Sequence, residues 1–286
     1  MEVSFYKLRV CDADIILVDD IPAGGRVRDW ATAAKKMLDR RRGAGGDRLA
    51  VLAKAEEAVW LKVFRPDGEA SLCVYDAALA SARYLLDSGR SGSESVRLRT
   101  SEGELAVDVL DAANLGLALG PPRSLENGRI LDLEGAAALR TLIEAEGARY
   151  EALPLGLSPR LSKAEPEAVK PRLGAVAVIC DGGAVAARAQ IRATVRGFEA
   201  PPPLPLRIIS RGEIWVQAQR GEELDSASAS ALALGAAAAL GYADREVAVR
   251  LRGGALYAEW ADSGELYVAA RPEYVYRGEF HLDEEE

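Results

Sequence analysis

Residues Trp215 to Gly241 read WVQAQRGEELDSASASALALGAAAALG. A short alternating strand, Trp215-Val216-Gln217-Ala218, leads into a charged turn. Asp225 and Ser226 then offer side chains suited to cap a helix start. Beyond Ser230 the helix is almost pure Ala, Leu and Gly and has no polar face, so it is stable only with protein on all sides. A strand feeding the start of a buried helix leaves free backbone N–H groups there, a ready place for an anion.

Working outward, the 286 residues suffice for two domains, each with its own core. Hydrophobic residues make up 49% and charged residues 28%, which fits a folded soluble chain and excludes a disordered one. The net charge of -8 argues against nucleic acid or anionic membranes as partners, since both call for basic patches. No charge-free apolar stretch of about 18 residues occurs, so no transmembrane span is expected. The start, MEVSFYKLRV, lacks the charged-then-apolar pattern of a secretory signal. Cys11, Cys73 and Cys180 stand at unrelated spacings, which points to reduced thiols in a cytoplasmic protein. His281, in the acidic tail HLDEEE, is the one histidine, so histidine-based catalysis and a His-rich metal site are excluded.

Residues 3–18 read as a strand broken at Cys11-Asp12-Ala13-Asp14, and Trp30 to Arg42 as a basic amphipathic helix ended by Gly43-Ala44-Gly45-Gly46. Strands at 49–52 and 59–64, a turn at Pro66-Asp67-Gly68, a helix at 75–86 and a hairpin of 96–99 with 105–109 follow. The order then recurs: a strand at 176–180 broken at Cys180-Asp181-Gly182-Gly183, a strand at 214–218, the buried helix, and a hairpin of 247–252 with 255–260. Cys11-Asp12 matches Cys180-Asp181, Trp60 matches Trp215, and helix starts near Val74 and Ser228 are each followed by Val-Arg-Leu-Arg, at Val96 and Val249. Landmarks recurring in one order imply a duplicated domain. Between the halves, a Pro/Gly-rich segment holds one expected helix, Leu133 to Glu146, and Pro201-Pro202-Pro203 reads as a rigid surface connection.

On these residues the chain resembles the cofactor-independent diaminopimelate epimerases. Asp39 to Asp47, DRRRGAGGD, is similar to that family's D-R-x-x-G-I-G-A-D. Phe5-Tyr6-Lys7-Leu8 with Asp14 to Asp19 resembles its N-terminal strand, Gln219-Arg220-Gly221 its E-R-G, and Pro272 to Glu279 its closing segment. The resemblance implies an α+β fold of two pseudo-symmetric domains, each a curved, mostly antiparallel sheet or barrel around a central helix. One half spans 1–120, completed by 264–280; the other spans 121–263, with a variable segment at 121–171. It also implies a homodimer, no cofactor or metal, and a small-molecule ligand in an interdomain cleft where both helix starts meet.

The family's chemistry is proton exchange at an amino acid's α-carbon by two cysteines, one on each face, each activated at a helix N-terminus. Counted without gaps, those positions fall here on Val74 and Ser228. The glycines that let N–H groups close on the substrate carboxylate become Tyr75-Asp76-Ala77 and Ala229-Ser230-Ala231. Valine has no exchangeable proton, and a serine hydroxyl is too weak a base without an activating partner. The substrate-holding positions fall on Ala13, Arg65, Asp181, Pro202, Gly183 and Gln219, and Arg220 alone is kept. Asp76 would repel a second carboxylate at its helix start.

Two functions remain open on this reading. One is a binding or regulatory paralogue without catalysis. The other is a cofactor-independent isomerase of altered specificity, using Asp76, Ser228 or, after a one-residue slip, Cys73. Against that, Asp76 and Ser230 read as helix caps, and Arg65 and Arg220 either bind an anion or pair with Asp76 and Asp181. Lys35, Lys36 and Arg40 to Arg42 read as a solvated helix face, and Gly43 to Gly46 lacks the Gly-Lys-Ser/Thr ending of a phosphate loop.

Overall fold

Strand alternation sets the first layer. In β1 (Glu2–Val10), Val3 and Phe5 are buried on one face and Leu8 and Val10 on the other, because odd and even residues point oppositely. The neighbouring β2 (Ala13–Asp19) is buried on both faces from Ile15 to Val18. Ile16 and Val18 share a cluster with Val3, Phe5, Leu49 and Val51, and α1 (Trp30–Leu38) covers that cluster with Trp30, Ala33, Ala34, Met37 and Leu38. The other face meets α2 (Tyr75–Asp87), a helix buried from Tyr75 to Ala82 and again at Tyr84 and Leu85.

The computed structural model describes residues 1–21, 27–55, 58–92, 94–101, 103–124, 141–145, 148–157, 173–180, 203–217 and 224–282. The chain divides into two units. The first comprises Met1–Leu117, Arg220–Ser226 and Ala270–Glu286; the second comprises Ala118–Gln219 and Ala227–Ala269. The fold is α+β and dominated by strands, each unit being a mostly antiparallel sheet with one central helix.

In the first unit β1 and β2 are antiparallel, and β3 (Arg48–Ala55) runs parallel to β2. β4 (Ala58–Phe64) is antiparallel to β3, and β5 (Ser95–Thr100) lies parallel to β4 across the α2 crossover. β6 (Gly103–Val109) and β7 (Leu115–Gly120) continue antiparallel. Helix α2 touches all six strands from β1 to β6, so the sheet curves around it. β17 (Glu273–His281) pairs antiparallel with β1, and Val275 is the extra residue of a bulge between the Lys7–Tyr276 and Leu8–Tyr274 pairs.

In the second unit β8 (Arg123–Ser124) and β9 (Thr141–Ala145) both pair with β10 (Ala148–Leu157). β10 is antiparallel to β11 (Leu173–Cys180), which is parallel to β12 (Pro203–Ser210). β13 (Glu213–Val216) is antiparallel to β12 and, across α3 (Ser226–Ala239), parallel to β14 (Glu246–Leu251). β15 (Gly254–Trp260) and β16 (Leu266–Ala270) close the series antiparallel. From β1 to β7 and from β10 to β16 the order of antiparallel and parallel pairings is the same. Trp60 faces Arg99 and Trp215 faces Arg250, so the two Val-Arg-Leu-Arg runs meet their tryptophans two residues apart in register. An even shift keeps every side chain on its face.

Helix α3 is buried at every position from Ser226 to Ala237, as its lack of a polar face requires. It ends where Gly241 takes φ +78 and the Gly241 and Tyr242 N–H groups return to Ala238 and Ala237. α2 ends in the same way at Gly89, φ +68, with the N–H groups of Gly89 and Arg90 returning to Leu86 and Leu85.

Two local expectations change. α1 stops at Leu38, not Arg42, because the Asp39 carboxylate takes the N–H groups of Arg41 (2.7 Å) and Arg42 (3.0 Å). Residues 141–145 of the expected helix 133–146 form β9 instead, with β-branched Thr141 and Ile143 paired against Ala152 and Tyr150. The rest of that helix lies outside the described residues, as do Pro201 and Pro202.

Candidate functional site at two helix starts

The chain enters α2 through a fixed turn. The Ser71 hydroxyl donates to the Cys73 carbonyl (3.0 Å) and accepts from the Cys73 N–H (3.1 Å) and from Arg48 Nε (3.1 Å). Arg48 is itself buried, and its Nη1 donates to the Asp47 carbonyl at 2.8 Å. This clamp places Val74 as the N-cap residue of α2, with no side-chain hydrogen bond to offer the first turn.

The first-turn donors are met from 150 residues away. Oδ2 of Asp225 accepts the Tyr75 N–H at 2.9 Å and the Asp76 N–H at 3.1 Å. In return, Oδ2 of Asp76 accepts the Ser226 N–H at 2.8 Å. Each carboxylate thus caps the helix that begins beside the other, and both are buried, Asp76 1% exposed and Asp225 7%. Negative charge at a helix N-terminus is favourable, and the buried N–H groups are satisfied without solvent. Sequence reading placed Asp225 as a cap of its own helix, since a cap is normally local, and did not foresee its bonds to α2. A partner this distant leaves no mark in spacing.

The thiols nearby are not poised to react. Cys73 is 3% exposed, and burial first, then the Asp225 charge, pushes its thiol well above the ordinary range. Cys11 is half-buried at a left-handed φ of +50, and its thiol is pushed up to about 12 by burial and then by the charges of Asp76 and Asp12. Cys11 therefore stands near the site, although sequence reading took it only as a turn landmark. A residue other than glycine forced to positive φ would have been the clue, but φ is not readable from sequence.

The other expected site residues scatter. Ala13 opens β2 opposite Val10. Arg65 forks onto Asp67 in its own turn, Nε to Oδ1 at 3.2 Å and Nη2 to Oδ2 at 2.6 Å, a partner that sequence reading did not weigh. Ser228 and Ala229 lie two and three residues inside α3, fully buried, whereas Val74 sits at the very start of α2. Ser230 is also fully buried, and its hydroxyl finds no hydrogen-bond partner among the described residues, so it caps nothing there. Asp181, Gly183, Gln219 and Arg220 lie outside the described residues.

The glycine-rich stretch is a structural lock. Arg40 bridges Asp14 (3.2 Å) and Asp47 (2.7 Å), and Asp47 exchanges backbone and side-chain hydrogen bonds with Asp14. A Cβ at Gly43 would lie 2.2 Å from the Lys36 carbonyl oxygen, and one at Gly46 would lie 2.8 Å from Ile16 Cγ1. Gly45 takes φ +71. Among the described residues no group of three or more His, Cys, Asp or Glu gathers to hold a metal ion, and no helix is long and apolar enough to cross a membrane.

Comparison with known proteins agrees with this architecture. The chain is 29% identical over 292 residues to diaminopimelate epimerase of Pelotomaculum thermopropionicum, covering 97% of this chain and 99% of that one. It is 24% identical over 285 residues to the diaminopimelate epimerase of Carboxydothermus hydrogenoformans, covering 98% and 100%. No family model matches. Among solved structures, a hydroxyproline epimerase from Agrobacterium vitis, with trans-4-hydroxy-L-proline bound, superposes with a TM-score of 0.62 at 13% identity, covering 99% of this chain and 92% of that one. A PhzF-family phenazine biosynthesis protein from Enterococcus faecalis gives 0.60 at 14%, covering 99% and 100%. The resemblance to diaminopimelate epimerases therefore runs nearly end to end, and the chain is epimerase/isomerase-like in sequence and fold.

Proposed function

We propose that this chain is an epimerase-fold protein, descended from a duplicated domain, that does not perform two-thiol α-proton exchange and acts as a binding or regulatory protein. One observation carries the proposal: the residue at the start of α2 is Val74, 4% exposed, and the thiol beside it, Cys73, is buried and held protonated. A base must be deprotonated and within reach of the α-carbon, and neither residue meets both conditions. The competing reading is an active isomerase of altered specificity, with Asp76, Ser228 or Cys73 as its base. Against Asp76 stands its place as a helix cap: it is 1% exposed and accepts the Ser226 N–H.

The test is isotope exchange. The protein is incubated in deuterated water with diaminopimelate and a panel of amino and hydroxy acids, and α-deuterium is read by mass spectrometry. No incorporation above the protein-free control is expected. Incorporation that Asp76→Asn abolishes would establish the isomerase instead.

A further inference from the structure

We propose that the first unit carries a second small-molecule site, a pocket at the outer end of α2 that takes an α-amino acid with an apolar side chain. It goes beyond the function proposed above and does not depend on it. Tyr84 and Arg90 belong to the far end of α2, Tyr84 lying about 14 Å along the helix from Tyr75.

The pocket follows from the way β2 leaves β1. Their last pair is Tyr6 with Leu17, so Asp19 would come opposite Ser4 if pairing continued. Instead the Asp20 N–H donates to the Leu52 carbonyl at 2.9 Å, and the chain stays with β3. The wedge between the diverging strands holds a cavity of about 350 Å3, and its lining falls wholly within the first unit.

Three parts of the wall differ in chemistry. Val3, Val18, Val27 and Trp30, members of the cluster that α1 covers, make an apolar part. Arg90 makes a cationic part. Its Nη1 donates to Oδ2 of Asp19, which also accepts the Tyr84 hydroxyl at 2.7 Å, while Oδ1 accepts the Ile21 N–H at 3.2 Å. Asp19 is thereby engaged as the anchor of Arg90, and it is the one hydrogen-bond or ion-pair partner of that guanidinium among the described residues. A guanidinium has five donors in a planar fork, so donors remain for a ligand carboxylate. Asp20, 6% exposed, makes an anionic part, and a carboxylate has lone pairs enough to take an ammonium beside the bonds it already has. A purely anionic ligand would meet Asp20, and a purely cationic one would meet Arg90. A ligand with both charges and an apolar substituent matches all three parts.

The experiment titrates the full chain, 15N-labelled, with L-leucine and with two analogues that each lack one charge, isocaproate and isoamylamine. Calorimetry reads affinity, and NMR reads the Trp30 indole and the Tyr75 and Asp76 amides. L-Leucine is expected to bind and to shift the Trp30 indole while the Tyr75 and Asp76 amides stay in place. Each analogue should bind at least about tenfold more weakly, since each forfeits a charge-assisted hydrogen bond. Arg90→Gln should bring L-leucine down to the affinity of isoamylamine. Ser4→Trp, at an exposed strand position lining the pocket, should fill the cavity and abolish binding with Tm held within a few degrees.

No binding of L-leucine up to about 20 mM would overturn the proposal. So would an analogue that binds as tightly as L-leucine, binding that ignores Ser4→Trp, or shifts at Tyr75 and Asp76 in place of Trp30. None of these readouts involves α-deuterium, so a failure here is distinguishable from a failure of the non-catalytic reading.

Discussion

At Val74 and Asp76 the side chains alone carry much of the meaning. The gap-free count that sets Val74 at the family's thiol position and Asp76 among its glycines is a reading of the sequence, and the proposed loss of two-thiol chemistry rests on it. The use of Asp76 and Asp225 as caps for each other's helix is not visible, because the hydrogen bonds join residues 149 and 150 positions apart. The state of the thiols is likewise set by burial. With its pKa moved from 9.0 to about 12, Cys11 at pH 8 holds about a thousandfold less thiolate than an ordinary cysteine. Native protein at pH 8 should therefore resist iodoacetamide at Cys11 and Cys73, and both should label in urea. Peptide mass spectrometry reads the outcome, and rapid native labelling of Cys73 would reopen its candidacy as a nucleophile. The same shift has a sign for stability. A folded pKa raised above the unfolded one stabilises fully below pH 9 and is lost as pH climbs from about 9 toward about 12. Cys11→Ser should flatten that alkaline loss in chemical denaturation.

Among the elements, α3 is the most legible, because a helix with no polar face has one possible environment. Its end was legible too, since Gly241 supplies the positive φ that a closing turn requires. The expected helix at 133–146 misled because leucine and alanine suit helices, while the choice at Thr141 to Ala145 is made by pairing with β10. Strand β17 carries a consequence of its own. Among the described residues it pairs with β1 alone, and it exposes Tyr274 (43%), Val275 (53%) and Tyr276 (42%) along that open edge. An open strand edge with apolar side chains invites a second strand, and we propose this edge as the seam of the homodimer that the resemblance implies. Sedimentation should give twice the 30.5 kDa of one chain. Val275→Glu, which brings like charges together across a two-fold axis, should halve that mass while leaving Tm within a degree or two. A wild-type protein that sediments as a single chain would remove this seam.

For the whole molecule, the shared order of pairings in the two units was read from four landmarks, whereas the two-residue offset in register behind the tryptophans was not. Register depends on how strands meet, and side-chain type alone leaves even shifts undetermined. The assignment of the last residues to the first unit is the structural fact with the widest reach. The Met1 ammonium donates to the Leu282 carbonyl at 2.7 Å, the Leu282 N–H returns to Met1 at 2.8 Å, and β1 lies along β17. A chain cut after Arg271 should therefore lose amide protection in β1 and β2, while β14 and β15, near the cut in sequence, stay protected. Hydrogen exchange read by mass spectrometry separates this from the reverse pattern, which would show that β1 does not need its partner.

That pairing also sets a timetable for biosynthesis. β1 leaves the ribosome more than 250 residues ahead of its neighbour β17, so at ordinary translation rates the edge of β1 waits on the order of tens of seconds for its cover. Over that interval the nascent chain presents an apolar strand with unpaired N–H and C=O groups, Val3, Phe5, Leu8 and Val10 among them. The second unit, with all its strands already made, can close before the first is able to.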